Sequence, residues 1–421
     1  MRSRFVRVAV VLAATGLIAA ACGDDGDTNT GTGGGAPTGT CDPAKPAIKI
    51  GGVAQVAFFA GTEDGVNARI ARENKTCIGG RKLEFVGIKD DGSDAQKNLD
   101  LNKSLVENDK VFALINSSAV MLPQTTNYLA DKKVPFFGWG FMPGFCGKES
   151  WGYGFNGCLS GYAFDKSKTV AVPNAKLNSS LIDPIAELVK KDADKMSIVY
   201  FNSDDDAGKA GDLQYSALFK NILDKQFVPV QGVTDFTQYV NIVKSKNPDA
   251  VMLSTDFANA IKLKAAIIAG GYKGIVYDYT TYIPGLLDSS KDTAAALEGG
   301  YSNTQFPPFE DGKPATAMIA ADLAAIGKPA FVTQGASIGY WSTDLMIQML
   351  LAIKGDVTPD NFRKIAEDGF TYKPADGGIG EIKYPDGHFN PAPCSAIVQV
   401  KAGKYVSVVP FKCYKLVDPP K

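Results

Sequence analysis

Two rhythms of apolar residues take turns along this chain. Runs rich in β-branched and aromatic residues, AIKIGGVA (47–54), KLEFVGIKD (82–90), VFALIN (111–116) and VPFFGW (134–139), read as strands. Between them, helical spacing predicts helices at 65–74 and 119–131. Another helix follows Ser93, which sits where a cap belongs, with Ala95, Leu99, Leu105 and Val106 as its apolar side. The rhythm breaks at 140–173, a stretch of Gly, Phe and Tyr without clear periodicity, and then resumes. Helices are expected at 181–191, 211–223, 237–246 and 258–269. Strands are expected at 196–201, 227–233, 250–255 and 274–279, and a last long helix at 336–354. Repeated β–α–β order predicts an α/β fold: two lobes with parallel sheets and helices on both faces, joined near the break.

The first 45 residues stand outside this pattern. Arg2, Arg4 and Arg7 precede an apolar run, Val8 to Ala21, too short to span a bilayer comfortably. Small residues then lead to Cys22. The pattern resembles a bacterial lipoprotein signal, 1–22, with Ala19 where Leu is commonest. That resemblance implies lipidation of Cys22. The plainer alternative is a secretory signal followed by a chance cysteine. Residues 23–40 are nearly free of apolar side chains, and 23–45 reads as a flexible tether. Gly-rich scaling gives the 23–40 stretch a reach of about 20–25 Å.

Six further cysteines remain. An even count in an exported chain predicts disulfides, and sequence neighbours suggest Cys41–Cys77, Cys146–Cys158 and Cys394–Cys413. The last would staple a hairpin. No CxxC exists, and the one histidine, His388, lies in PDGHF, so no metal site is expected. Net charge is −1, without a basic block that would suit nucleic acid.

The stretch GVNARIARENKTCIGGRKLEFVGIKDDGSD, then VENDKVFALINSS, resembles the branched-chain amino-acid class of ABC-transporter solute-binding proteins. The residues that carry it are Asn74, Gly79, Gly80, Arg81, Lys82, Asp90, Asp91, Val111, Ser117 and Ser118, and it extends over roughly 46–385. The resemblance implies two Rossmann-like lobes around a hinge, the periplasmic binding protein type I fold. The first lobe would hold 46–165 and about 297–380, and the second 166–296 and about 381–421. It further implies an extracytoplasmic monomer that binds a small molecule, needs no cofactor, touches the membrane through a lipid anchor only, and serves an ABC permease and its ATPase. A ligand-sensing receptor of the same fold and an exported amidase-type enzyme are the rival readings.

Ser117 and Ser118 end a strand, where α/β proteins place ligands, and lead toward a helix whose amides suit a carboxylate. As nucleophiles they lack a nearby histidine, and no GxSxG or phosphate-binding loop exists. Plain helix capping by Ser118 is the bland alternative. In relatives the first loop and the loop after VPFF line the cleft. Here they read AQVAFFAGTEDG and GWGFMPGF, placing Phe58, Phe59, Trp139 and Gly140 there, with Phe141 and Phe145 nearby. Asp206 falls in another loop that faces the cleft in relatives, unless it simply caps a helix. Relatives also supply an aromatic and an acidic residue from two second-lobe loops. The matching positions offer Asp256 and Phe257, then Asp278, Tyr279, Thr280 and Tyr282. The aromatics together point to a ligand larger or more apolar than a free branched-chain amino acid.

Overall fold

In a computed structural model of the chain, β1 (Ile48–Ala54), β2 (Leu83–Asp90), β3 (Ala113–Ser117), β4 (Phe136–Gly138) and β5 (Gly152–Gly154) form one parallel sheet. Its order is β2-β1-β3-β4-β5. Helices α1 (Thr62–Glu73), α2 (Ala95–Glu107) and α3 (Pro123–Asp131) connect these strands. The structure describes residues 41–159 and 175–419, apart from 231, 284, 331, 376 and 377 and the side chains of 206, 207 and 210. Residues 37–421 form one compact unit.

The second lobe opens with β6 (Leu177–Asn178) and α4 (Asp183–Val189). Next come β7 (Ser197–Ser203), α5 (Asp206–Leu218), β8 (Asn221–Val228), α6 (Thr237–Lys246), β9 (Ala250–Ser254), α7 (Phe257–Ala269) and β10 (Ile275–Asp278). Two short helices, α8 (Leu286–Ser289) and α9 (Lys291–Ala296), lead to β11 (Tyr301–Thr304). The chain then returns to the first lobe for α10 (Pro314–Ala325), α11 (Gln334–Ala352), α12 (Pro359–Glu367) and the small pair β12 (Thr371–Tyr372) and β13 (Ile382–Lys383). It crosses back for the hairpin β14 (Cys394–Lys401) and β15 (Lys404–Cys413), and β16 (Leu416–Val417) pairs with β6. The second sheet runs β15-β14-β11-β10-β9-β7-β8, parallel from β8 to β11 and antiparallel thereafter. Because β11 still belongs to this sheet, the return to the first lobe comes after Thr304 rather than near 297.

Packing follows chemistry. On the first sheet α1 and α11 approach so closely that a Cβ at Gly65 would lie 2.0 Å from Ala336 O, and one at Gly339 2.2 Å from Thr62 O. Beneath them Arg69 is buried between Asp344 (2.6 Å) and Glu73 (3.0 Å). The three disulfides join the expected pairs, Cys41–Cys77, Cys146–Cys158 and Cys394–Cys413, the last directly across β14 and β15. Among the described residues no helix is long and apolar enough to cross a membrane.

Several boundaries differ from the sequence expectation, each for a local reason. Asp94, not Ser93, caps α2, accepting the Lys97 N–H (2.7 Å), while Ser93 takes a left-handed conformation. The buried face of α2 is Asn98, Asn102 and Leu105 rather than an apolar stripe. α3 starts at Pro123, in the first turn where a missing N–H does no harm, not at 119. Asp205 caps α5 through the Gly208 N–H (2.7 Å), so that helix begins five residues before 211 despite its glycines. The strand expected at 227–233 is Asn221–Val228 and ends before Pro229, which has no N–H for a ladder.

Three segments of the second lobe converge at one carbonyl. Ser180 O accepts from Asn303 Nδ2 (3.0 Å), at the end of β11, and from Ser395 Oγ (3.0 Å), at the start of β14.

Candidate functional site

The carboxyl ends of β1, β3 and β4 on one lobe and of β7, β9 and β10 on the other carry the candidate residues. Phe58, after β1, meets Phe257, at the start of α7, edge to face with centroids 6.4 Å apart. These rings span the two lobes. Behind them Phe59 packs on Phe141 (6.1 Å) and Phe141 on Trp139 (5.4 Å). The Trp139 indole N–H donates to Gln305 Oε1 (2.7 Å), which also accepts from Asn156 Nδ2 (2.6 Å). Gly140 serves packing: a Cβ there would lie 1.7 Å from Gly157 O. Phe145 belongs to the core, against Phe136 (5.1 Å), not to the cleft.

Ser117 and Ser118 separate into two roles. The Ser118 hydroxyl donates to Asp91 Oδ2 (2.5 Å) and accepts the Val120 N–H (3.1 Å), closing a turn rather than capping α3. Asp91 is fully buried and also accepts from Asn98 Nδ2 (2.9 Å) and the Ser93 N–H (2.9 Å). Asn116, behind the serines, accepts the Val53 N–H (3.0 Å) and donates to Asn102 Oδ1 (3.0 Å). Ser117 is 1% exposed and its buried hydroxyl has no partner among the described residues. The helix amides expected beside it begin several residues later.

The second lip corrects more of the expectations. Asp278 is not available to an ammonium. It is fully buried, paired with Lys264, and accepts the N–H groups of Thr280 and Thr281 (2.7 Å each). Burial pushes the Lys264 ammonium below its ordinary pKa, with Asp278 opposing the shift. Tyr282 is likewise core rather than rim: it is 2% exposed, donates to Glu310 Oε2 (2.5 Å) and packs on Tyr405 (5.0 Å). Asp256 caps α7, accepting from the Asn259 N–H (3.1 Å) and Nδ2 (2.6 Å). The Tyr279 hydroxyl rests on Met252 Sδ (3.2 Å), and burial holds its pKa well above the usual phenol range. Thr280 Oγ1 is buried without a partner. The Asp206 side chain lies outside the described residues.

Sequence reasoning missed the supports of this site. Asp91, Asn98, Asn102 and Asn116 hold the serine turn, and the spacing of Asn98 and Asn102 four apart on α2 was the available signal. It also missed Asn202, opposite Ser254 at the end of β7, which is 1% exposed with neither amide atom paired among the described residues. Ser254 Oγ lies 3.0 Å from the Tyr215 hydroxyl. His388 is buried, its Nδ1 3.3 Å from Phe145 O and its ring packed on Tyr384 (4.9 Å) and Tyr153 (5.2 Å). It is a packing histidine, and burial lowers its pKa to about 4. No group of three or more candidate metal ligands occurs among the described residues. The strand ends therefore combine aromatic surface with buried neutral groups that lack partners among the described residues, a combination that suits binding.

The profile of the periplasmic binding protein family matches residues 48–404. No curated sequence matches the chain. Among solved structures, a fatty acid ABC transporter substrate-binding protein from Thermomonospora curvata superposes with TM-score 0.69 at 18% identity, over 90% of this chain and 96% of that one. A solute-binding protein from R. palustris in complex with 4-hydroxybenzoate gives 0.66 at 15% identity, over 89% and 98%. A branched-chain amino acid ABC transporter protein from Thermus thermophilus with bound valine gives 0.67 at 13%, over 89% and 97%. With the profile covering both lobes, and with the fold of these solved structures shared, the chain belongs to the periplasmic binding protein family.

Proposed function

We propose that this protein is an extracytoplasmic lipoprotein, anchored through Cys22, that captures an apolar or aromatic carboxylate between its lobes. It then delivers the ligand to an ABC permease driven by its ATPase. The observation that carries the ligand class is the fate of the acids on the second lip. Asp256 is spent on a helix cap and Asp278 on Lys264, so neither is free for an α-ammonium group. The same rim presents Phe58, Phe257, Phe59, Phe141 and Trp139 beside the unpaired Ser117 hydroxyl. Relatives of this fold bind 4-hydroxybenzoate in one case and valine in another, so both classes fit the architecture. Ligand bridging both lips would favour the closed form by differential affinity.

The test is calorimetric titration with benzoate, 4-hydroxybenzoate, octanoate, valine and leucine, after mass spectrometry of any compound that co-purifies. A benzoate or fatty acid should bind at least tenfold more tightly than either amino acid. Valine or leucine as the tightest ligand would overturn the reading. Ser117→Ala should weaken the preferred carboxylate about ten- to hundredfold, the range for one hydrogen bond to a charged group. Mass spectrometry of the exported protein decides whether Cys22 carries acyl chains.

A further inference from the structure

At the opposite edge of the first sheet from Ser117, the amino ends of β1 to β4 enclose a hollow of about 510 Å³. Lys49, Arg81, Lys110, Lys132 and Lys133 line it, and no acidic residue does. In a chain of net charge −1 this is a local excess of one sign. Counter-charges are sparse and exposed. Lys49 lies 3.9 Å from Glu84, and Lys133 pairs with Asp360 at 2.8 Å with both side chains more than half exposed. Among the described residues Arg81 donates to backbone carbonyls only, Pro46 O (2.7 Å) and Ala47 O (3.4 Å). Lys110 and Lys132 have no carboxylate partner among the described residues. Exposed pairs of this kind are weak and screened by salt, so most of the positive field survives.

The same edge receives the tether. Cys41 is bonded to Cys77, the Asp42 N–H donates to Gly80 O (2.8 Å) and Lys45 Nζ to Gly79 O (2.9 Å). Ala47 then lines the hollow itself. The span from Cys22 to Cys41 is 19 residues by number, and Gly-rich scaling gives it an r.m.s. reach of about 25 Å. A lipid on Cys22 would therefore keep this basic edge close to the bilayer surface.

We propose that the hollow is a docking surface for the anionic phosphate headgroups of the membrane to which the chain is tethered. It rests on the anchor proposed above for its setting, not for its chemistry. Clusters of Lys and Arg beside a membrane attract anionic lipid within about a Debye length. Docking by this edge turns the carboxyl ends of the strands, and so the cleft, away from the bilayer toward solute. The chain would wait there in a receiving orientation and must leave it to meet the permease. The rival role for Lys132 and Lys133 is to complement the carbonyl end of α3, which would leave lipid untouched.

The test uses residues 37–421, a single compact unit that carries both lobes and no anchor, so failure of the lipoprotein reading leaves this result intact. Flotation with phosphatidylglycerol/phosphatidylcholine vesicles at 50 mM salt should recover at least tenfold more protein than pure phosphatidylcholine, and 500 mM salt should abolish the difference. Lys110→Glu with Lys132→Glu should cut recovery about twentyfold or more, with thermal unfolding unchanged. The control pair Lys244→Glu with Lys246→Glu, exposed on α6, makes the same charge change and should have little effect. Equal binding to both vesicle types overturns the proposal, as does a control as damaging as the test pair. Stabilisation by millimolar inorganic phosphate without vesicle preference would mark a free-anion site and overturn it too. A lower melting temperature in the test pair with no vesicle binding by the parent would assign the lysines to the helix.

Discussion

On the first lobe, the turn bearing Ser117 and Ser118 stands on Asp91, Asn98, Asn102 and Asn116, whose hydrogen bonds are made. On the second, Asn202 and Thr280 keep buried atoms without partners among the described residues. A buried group left unpaired costs about 1–3 kcal/mol. The first lip is thus organised before any ligand arrives, with the buried Ser117 hydroxyl its one unpaired group among those described. The second gains from whatever supplies its missing partners. That asymmetry suits a ligand that lands on the first lobe and draws the second toward it.

The largest test of this contrast is the one strong fixture of the second lip. Lys264→Met leaves Asp278 buried without its counter-charge and should destabilise the folded state by about 3–5 kcal/mol. Adding Asp278→Leu should recover most of that loss in denaturant titration. A single variant as stable as the double would mean that the pair does not pin the loop at 279–282.

His388 gives the next effect. Its folded pKa of about 4 lies below the unfolded value of 6.5, so the unfolded chain takes up the proton first as pH falls. Stability should be complete above pH 6.5 and drop by about 3 kcal/mol toward pH 4 from this group. His388→Gln should flatten that slope. An imidazole titrating near 6.5 in proton NMR would contradict it.

Two asparagines sharpen the comparison directly. Asn116→Leu strands the Val53 N–H and Asn102 Oδ1 and should cost about 1–3 kcal/mol, whereas Asn202→Leu removes two unpaired atoms and should be neutral or stabilising. Equal losses would show that Asn202 has partners in solution. The smallest effect concerns Phe58 and Phe257. A double-mutant cycle to alanine should give a coupling of about 0.5–1.5 kcal/mol, and none if the rings meet only fleetingly.

The sequence made the alternation of strands and helices legible because parallel strands buried on both faces read as apolar runs, while helices keep a 3.6-residue spacing. The disulfides were legible from neighbouring cysteines, and α6 from its amphipathic spacing. What escaped was polar and buried. Asn98 and Asn102 lie on a face that apolar patterning assigns outward, and Lys264 sits inside an apolar helix because Asp278 waits across the loop. Tyr282 reads as a rim aromatic until Glu310 claims its hydroxyl. Helix starts slipped at Asp94, Pro123 and Asp205 because a start is set by one residue, a capping carboxylate in α2 and α5 and a proline in α3, which a window of residues averages away.

Ser180 O receives hydrogen bonds from Asn303 in β11 and Ser395 in β14, and so ties three segments of the second lobe at one atom. Segments clamped at a common point cannot bend independently, so a twist in one strains the other two. That part of the second lobe should therefore move as one piece when the lobes open and close.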